Sequence, residues 1–311
     1  MNQPPEDEIA RLDGAYERLQ DSDPAQRAHA ARTLLDLYLT AQDTQVKAIS
    51  AGILAEAYQQ DQRWEDAETA YTAARHLFQQ LGLTRQVADC TMNLGNVYQQ
   101  VGRYHDAETA HIAAREVYQQ LGLTEEVADC TMNLGNVYQG MGRYQDAETA
   151  HIAAREVFQQ LGLTEKVAEC TMGLGVVYEQ VGRYQDAVTA HIAAREVFQQ
   201  LGLTEQVADC TMNLGAVYAQ VGRYQDAVTA CTAAREVFQQ LGLTERVATC
   251  TMNLGVVYAQ VGRYQDAVTA YTAAREVFQQ LGLPERVADC TMNLGAVYAQ
   301  VGRYQDAVTA C

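Results

Sequence analysis

The residues of this chain best suited to chemistry recur at intervals of 40 positions: the thiols Cys90, Cys130, Cys170, Cys210, Cys250 and Cys290, and the imidazoles His111, His151 and His191. Thiolates and imidazoles serve as metal ligands and nucleophiles, but only where several converge. Metal ligands must lie within about 2.0–2.3 Å of one ion, whereas packed helices of neighbouring units are separated by about 8–10 Å. That spacing also exceeds the roughly 7 Å between Cα atoms that a disulfide tolerates. The cysteine column is therefore expected to be small buried thiols filling gaps between helices. The column Tyr71, His111, His151, His191, Cys231, Tyr271 and Cys311 is expected to be core packing, with no metal. Arg103 and Asp106, with their copies, suit surface or inter-repeat ion pairs better than acid–base catalysis. Ser22 and Ser50 are the only serines, and no phosphate loop, nucleophile elbow or zinc-protease motif occurs. The expectation is a protein that is not an enzyme and carries no cofactor.

The elements that position these residues follow from the repetition. Leu121-Gly122-Leu123-Thr124 returns as Leu161-Gly162-Leu163-Thr164 and Leu201-Gly202-Leu203-Thr204. A fixed period of roughly 20–50 residues marks a solenoid or array in which each unit packs on its neighbours. The chain has four prolines in 311 residues and lacks β-branched runs with period two, so the class is all-α. A net charge of −17, with Lys47 and Lys166 the only lysines, argues against nucleic acid or an anionic membrane as partner. No signal sequence follows Met1, and no run approaches the roughly 18 apolar residues of a membrane span. The expected location is the cytoplasm.

Within one unit, Val87, Ala88, Thr91, Leu94, Gly95 and Tyr98 carry the spacing of an amphipathic helix. Gly102 breaks it as a residue free to take positive φ. A second helix restarts near Tyr104 with Ala107, Ala110, His111, Ala114, Val117 and Tyr118 on one stripe. Gly122 ends that helix, Leu123 folds back as an apolar contact, and Thr124 is expected to cap the next. Gly95 and Ala107 are small where two helices must approach closely.

Leu94, Gly95, Tyr98, Ala107 and Ala114 resemble the tetratricopeptide signature L-G-x-x-Y…A…A, repeated as Leu134, Gly135, Tyr138, Ala147 and Ala154. The common unit of that family has about 34 residues, so the longer period of this chain implies longer helices, chiefly the second. The unit is similar to the variant found in Leu-Gly-Asn repeat scaffolds and in sensor arrays of bacterial regulators. Thr91 and Gln119 stand where the family usually has tryptophan and proline. The resemblance implies an α-solenoid, a right-handed superhelix of helix–turn–helix hairpins whose first helices line a concave groove. Partner-binding residues would then be Asp89, Met92, Asn93, Asn96 and Gln99, continued by Asp129, Met132, Asn133, Asn136 and Gln139. Further along the chain they are Glu169, Met172, Asp209, Met212, Asn213 and Asn253. Acidic, amide and thioether groups suit a peptide or helix with basic residues, although packing between helices is the competing reading for Met and Asn. The Asn96 and Gln99 columns drift to Val176, Ala216, Ala219 and Ala259, so the groove is expected to become more apolar toward the C-terminus. No Lys or Arg occupies the groove columns, which argues against capture of a peptide carboxylate there.

Residues 1–5 are expected to be disordered, and residues 6–43 to form a helical cap introduced by Ser22 or Asp23 and Pro24. Residues 44–84 read as a degenerate unit, with Leu54 and Ala55 in place of Leu-Gly, and residues 85–311 as tandem units with the last truncated at Cys311. Three functional readings arise. The leading one is a non-catalytic scaffold binding a protein or peptide partner. The others are a sensor array within a longer regulatory protein, and a solenoid that assembles end to end through its uncapped C-terminal unit.

Overall fold

From Gly82 to Gly302 a left-handed glycine recurs at every helix end, and Gln62 takes that place one helix earlier. The computed structural model describes residues 6–19 and 24–302, and among them are fifteen α-helices and no strand. They are α1 (Glu6–Leu19), α2 (Pro24–Thr40), α3 (Thr44–Gln60), α4 (Trp64–Gln80), α5 (Thr84–Gln100), α6 (Tyr104–Leu121), α7 (Thr124–Gly140) and α8 (Tyr144–Leu161). There follow α9 (Thr164–Gln180), α10 (Tyr184–Leu201), α11 (Thr204–Gln220), α12 (Tyr224–Gln240), α13 (Thr244–Gln260), α14 (Tyr264–Gln280) and α15 (Pro284–Gln300). The chain divides into two compact units, Met1–Leu161 and Gly162–Cys311. The expected disorder of residues 1–5, the Ser22/Asp23 cap and the truncated end at Cys311 all lie outside the described residues.

Between hairpins, Gly82 takes φ 71°, Gly82 N–H bonds Gln79 C=O, and Leu83 N–H bonds Phe78 C=O at 3.0 Å. This pair of bonds is a Schellman turn, in which glycine avoids the Cβ penalty of the left-handed region. The apolar contact that accompanies it is Leu83 on Phe78, repeated as Leu123 on Tyr118 and Leu243 on Phe238. The same turn ends the first helix of each hairpin, with Arg103 N–H bonding Tyr98 C=O at 2.8 Å. There the contact across the turn is a guanidinium over a ring: Arg103 lies 4.3 Å from the Tyr98 centroid, and Arg143, Arg183, Arg223 and Arg263 repeat the geometry at 4.1–4.4 Å.

One expectation is corrected. Thr124 is not a cap: Leu123 occupies that position and offers no side-chain hydrogen bond, because the Schellman turn leads directly into the next helix. The one side-chain cap that opens a repeat helix, among the described residues, is Asp43, whose carboxylate accepts from Gln45 and Val46 N–H before α3. First helices of the repeats have 17 residues and second helices 17 or 18.

In the first unit, Leu12, Ala15, Leu34, Leu37, Val46 and Leu54 form the core of α1–α3, and Glu8 receives Gln42 N–H at 2.8 Å. Helix α2 starts at Pro24 and α4 at Trp64, one full period apart, so the N-terminal hairpin keeps the repeat register. Further cores repeat once per interface: Ala88, Ala114, Tyr118 and Cys130 in the first unit, then Ala168, Ala194, Phe198 and Cys210 in the second. Gly95 lies against His111, and a Cβ there would fall 2.6 Å from the imidazole. The expected close approach of the two helices of a hairpin is thus filled by the histidine column.

Candidate binding groove

The expected groove runs along the first helices. Successive first helices touch one another, α1 with α3 and α5 with α7 in the first unit, α9 with α11, α11 with α13 and α13 with α15 in the second. No approach of that extent joins successive second helices among the described residues. Ala88, Leu94, Gly95 and Val97 of α5 are buried, which leaves Asp89, Met92, Asn93, Asn96 and Gln99 half-buried along that helix.

Several candidate residues are engaged within the fold. Tyr118 Oη donates to Asp89 Oδ1 at 2.7 Å, and Asn133 Nδ2 donates to Asn96 Oδ1 at 3.2 Å, a rung between α7 and α5. Arg246 lies 3.5 Å from Asp209, and Lys166 lies 3.4 Å from Glu169. Asp129 and Gln139 also carry polar contacts, while Asn136, Asn213 and Asn253 stay half-buried. Met132 and Met212 are buried, Met212 against Phe238 and Cys250. Met92, Met172 and Met252 pack on the same kind of cluster. The methionines thus serve mainly to join helices, and the two buried ones offer a partner little surface.

Two carboxylates stand apart. Glu56 lies one repeat period before Asn96, on α3, where it stays exposed while partial desolvation of its carboxyl shifts it upward from its ordinary value. Glu179 lies one period after Gln139, on α9, and burial pushes it up to about 6. Neither has a bonded cation among the described residues. Taking a carboxylate out of water without a partner favours its neutral form, so Glu179 is primed to gain from a cation, and Glu56 to a lesser degree. Glu56, Gln59, Trp64, Tyr71, Asn93 and Gln100 line a cavity of about 410 Å³ in the first unit, with Tyr71 Oη donating to Gln59 Oε1 at 3.0 Å. Sequence reading passed over Glu56 and Trp64. The repeat register placed Glu56 in the Asn96 column, but the degenerate unit lacks the Leu-Gly mark that draws attention to it.

The thiols and imidazoles belong to the core. All seven described cysteines are free and buried, and burial pushes Cys130, Cys210 and Cys231 up to about 12, which keeps them protonated and inert. His111, His151 and His191 are buried with no hydrogen-bond partner, and burial lowers each to about 4. Among the described residues, no cluster of three His, Cys, Asp or Glu could hold a metal ion. No described helix is long and apolar enough to cross a membrane.

The tetratricopeptide repeat sequence profile matches residues 47–120, 86–160, 126–200, 206–280 and 247–310. No protein of curated function matches the sequence. Among solved structures, NprR in complex with its cognate peptide NprX is similar over 99% of this chain and 89% of that one, at 13% identity and a TM-score of 0.71. A Rap protein complexed with Competence and Sporulation Factor is similar over 96% and 99%, at 13% identity and TM-score 0.67. A Signal Transduction ATPase with Numerous Domains from Pyrococcus horikoshii, with a tetratricopeptide repeat sensor, matches 99% of this chain but 46% of its own, at 13% identity and TM-score 0.70. At such identities the likeness establishes the fold.

Proposed function

Because the chain belongs to the tetratricopeptide repeat family, we propose that it is a non-catalytic, cytoplasmic scaffold that binds a peptide or helical segment along its first helices. The observation that carries this reading is a pair of cation-free carboxylates on the first helices, Glu179 half-buried and Glu56 exposed at a cavity that it helps to line. A lysine or arginine of a partner would restore to Glu179 the charge stabilisation that burial removes and would pair with Glu56 at the cavity. The amides of Asn93, Asn133, Asn213 and Asn253 then meet the partner's backbone, as extended or helical ligands require. NprR and the Rap protein, whose structures carry a peptide or factor, make a peptide the natural class of ligand.

A positional-scanning peptide library is the direct test. Peptides retained by the full chain should be enriched in Lys and Arg. Glu56→Gln and Glu179→Gln should each weaken the retained peptides about tenfold, the scale of a charge-assisted contact of roughly 1.5 kcal/mol. Retention of peptides without basic residues, or affinities unchanged in both variants, would overturn the reading.

A second reading is supported by the ATPase likeness, in which the matching region is a little under half of the other chain. In that reading the repeats are the sensor array of a longer regulatory protein, and coding sequence for a nucleotide-binding or DNA-binding domain contiguous with this segment decides for it. End-to-end assembly of the solenoid is a third reading, and a monomer by light scattering over a wide concentration range would exclude it.

A further inference from the structure

The ion pair that links hairpins in the first unit is missing at one interface, and a cleft lies there. Arg103 Nη1 donates to the Glu68 carboxylate at 2.9 and 3.0 Å, and Arg143 Nη1 donates to Glu108 at 2.8 Å. Each glutamate precedes its arginine by 35 positions. Arg63 is the equivalent arginine of α3–α4. It lies 4.3 Å from the Tyr58 ring centroid, and its Nε and Nη2 bond Asp66 at 2.8 and 2.6 Å. The residue at the same offset before Arg63 is Ala28, so no carboxylate reaches Nη1 from α2. The cleft, about 460 Å³, is lined there by Arg27, Arg32 and Arg63, with Ala28 at the gap, Leu19 and Leu35 as apolar walls, and Asp61 as its one acid. Later hairpins that lose the glutamate do not leave such a gap. Val188 and Val228 take its position and pack on the tyrosines Tyr184 and Tyr218 or Tyr224.

We propose that this cleft is a carboxylate-binding site, taking a small organic acid or an acidic side chain of a peptide, with Arg63 receiving the anion as Arg103 and Arg143 receive Glu68 and Glu108. Tyr58 and Asp66 already hold the guanidinium in place, so little side-chain entropy is lost on binding. A guanidinium fork matches a carboxylate, and Arg32 adds a second guanidinium to the lining. The apolar walls favour an acid on a short aliphatic stem. A volume of this size lies within the roughly 300–1,000 Å³ of small-ligand sites.

Calorimetric titration of the full chain with glutarate, and separately with an acetylated and amidated Leu-Glu-Leu tripeptide, tests this against a Leu-Gln-Leu control. Binding of glutarate alone identifies free acids as the ligands, and binding of the tripeptide identifies side chains. Arg63→Ala should lose at least tenfold in affinity. Ala28→Glu supplies the missing carboxylate internally, so it should raise the melting temperature and abolish binding. Arg223→Ala, at the same turn in the second unit, should leave affinity unchanged. The proposal fails if neither probe binds at millimolar concentration, if folded Ala28→Glu binds as tightly as the parent, or if Arg223→Ala weakens binding as much as Arg63→Ala.

Discussion

At the scale of single residues, the histidine column shows how a repeat stores a liability in its core. His111, His151 and His191 sit where Tyr71, Cys231 and Tyr271 sit in other hairpins, each opposite a small residue of the first helix. The imidazole fits the space, but its two nitrogens find no partner. The ordinary value of 6.5 falls to about 4 for all three. Between those values the unfolded chain binds more protons than the folded one, so stability rises with pH. It is fully present above about pH 6.5 and is lost as pH falls toward 4, by on the order of 3 kcal/mol per histidine. Glu179, raised to about 6, acts in the opposite sense by on the order of 2 kcal/mol, and Glu56 and Asp209 are shifted in the same direction, but the three histidines together outweigh them. Denaturant midpoints measured from pH 7.5 to 4.5 should therefore fall. His151→Tyr, which places in this hairpin the side chain that Gly255 already accommodates beside Tyr271, should fall less over the same range. Equal slopes for parent and variant would refute the assignment.

At the scale of the helix and its turn, the degenerate hairpin carries a strain that the later ones avoid. Gln62 adopts φ 57°, at the position where Gly102, Gly142 and Gly182 stand in their units. A left-handed residue with a Cβ costs about 1–2 kcal/mol, while a glycine adds unfolded-state entropy worth roughly 0.5–1 kcal/mol. Gln62→Gly should therefore stabilise the protein by about 0.5–1 kcal/mol, read as a higher urea midpoint at unchanged slope; a lower midpoint would count against the strained turn. This turn was legible in the sequence only by comparison, because its neighbours spell out the glycine. The hairpins and the Gly95–His111 neighbourhood were legible for the same reason: a side chain that recurs every 40 positions must satisfy the same contacts each time. What stayed hidden depends on more than one element. Thr124 has the chemistry of a cap, yet the preceding Schellman turn places Leu123 there. Met212 has the placement of a groove residue, yet Phe238 of another helix buries it. Glu56 has no mark of its own, and only the packing of α3 against its neighbours brings it to the cavity with Trp64, Tyr71 and Asn93.

At the scale of the whole chain, the two units solve the same packing problem with different chemistry. In the first, hairpins are joined by Arg103–Glu68, Arg143–Glu108 and Arg85–Glu126, and most of the net charge of −17 lies in residues 1–161. In the second, Val188, Val228 and Val268 replace the glutamates and join tyrosine-lined clusters. Added salt has two opposed effects on the first unit. It weakens the exposed pairs, each worth about 0–1 kcal/mol, and it relieves repulsion among excess carboxylates. The screening length falls from about 10 Å at 0.1 M to about 3 Å at 1 M. Pairs in contact at 2.8–2.9 Å are therefore screened less than acids a full repeat apart, and relief of repulsion dominates. In a solenoid stability is roughly a sum of unit and nearest-neighbour terms, so the gain should stay where the charge is. Amide hydrogen exchange at 0.05 and 0.5 M sodium chloride should show protection rising more in α5–α8 than in α11–α14. A uniform rise would mean that charge is not what distinguishes the units, and a fall confined to α5–α8 would mean that the Arg–Glu contacts outweigh the repulsion around them.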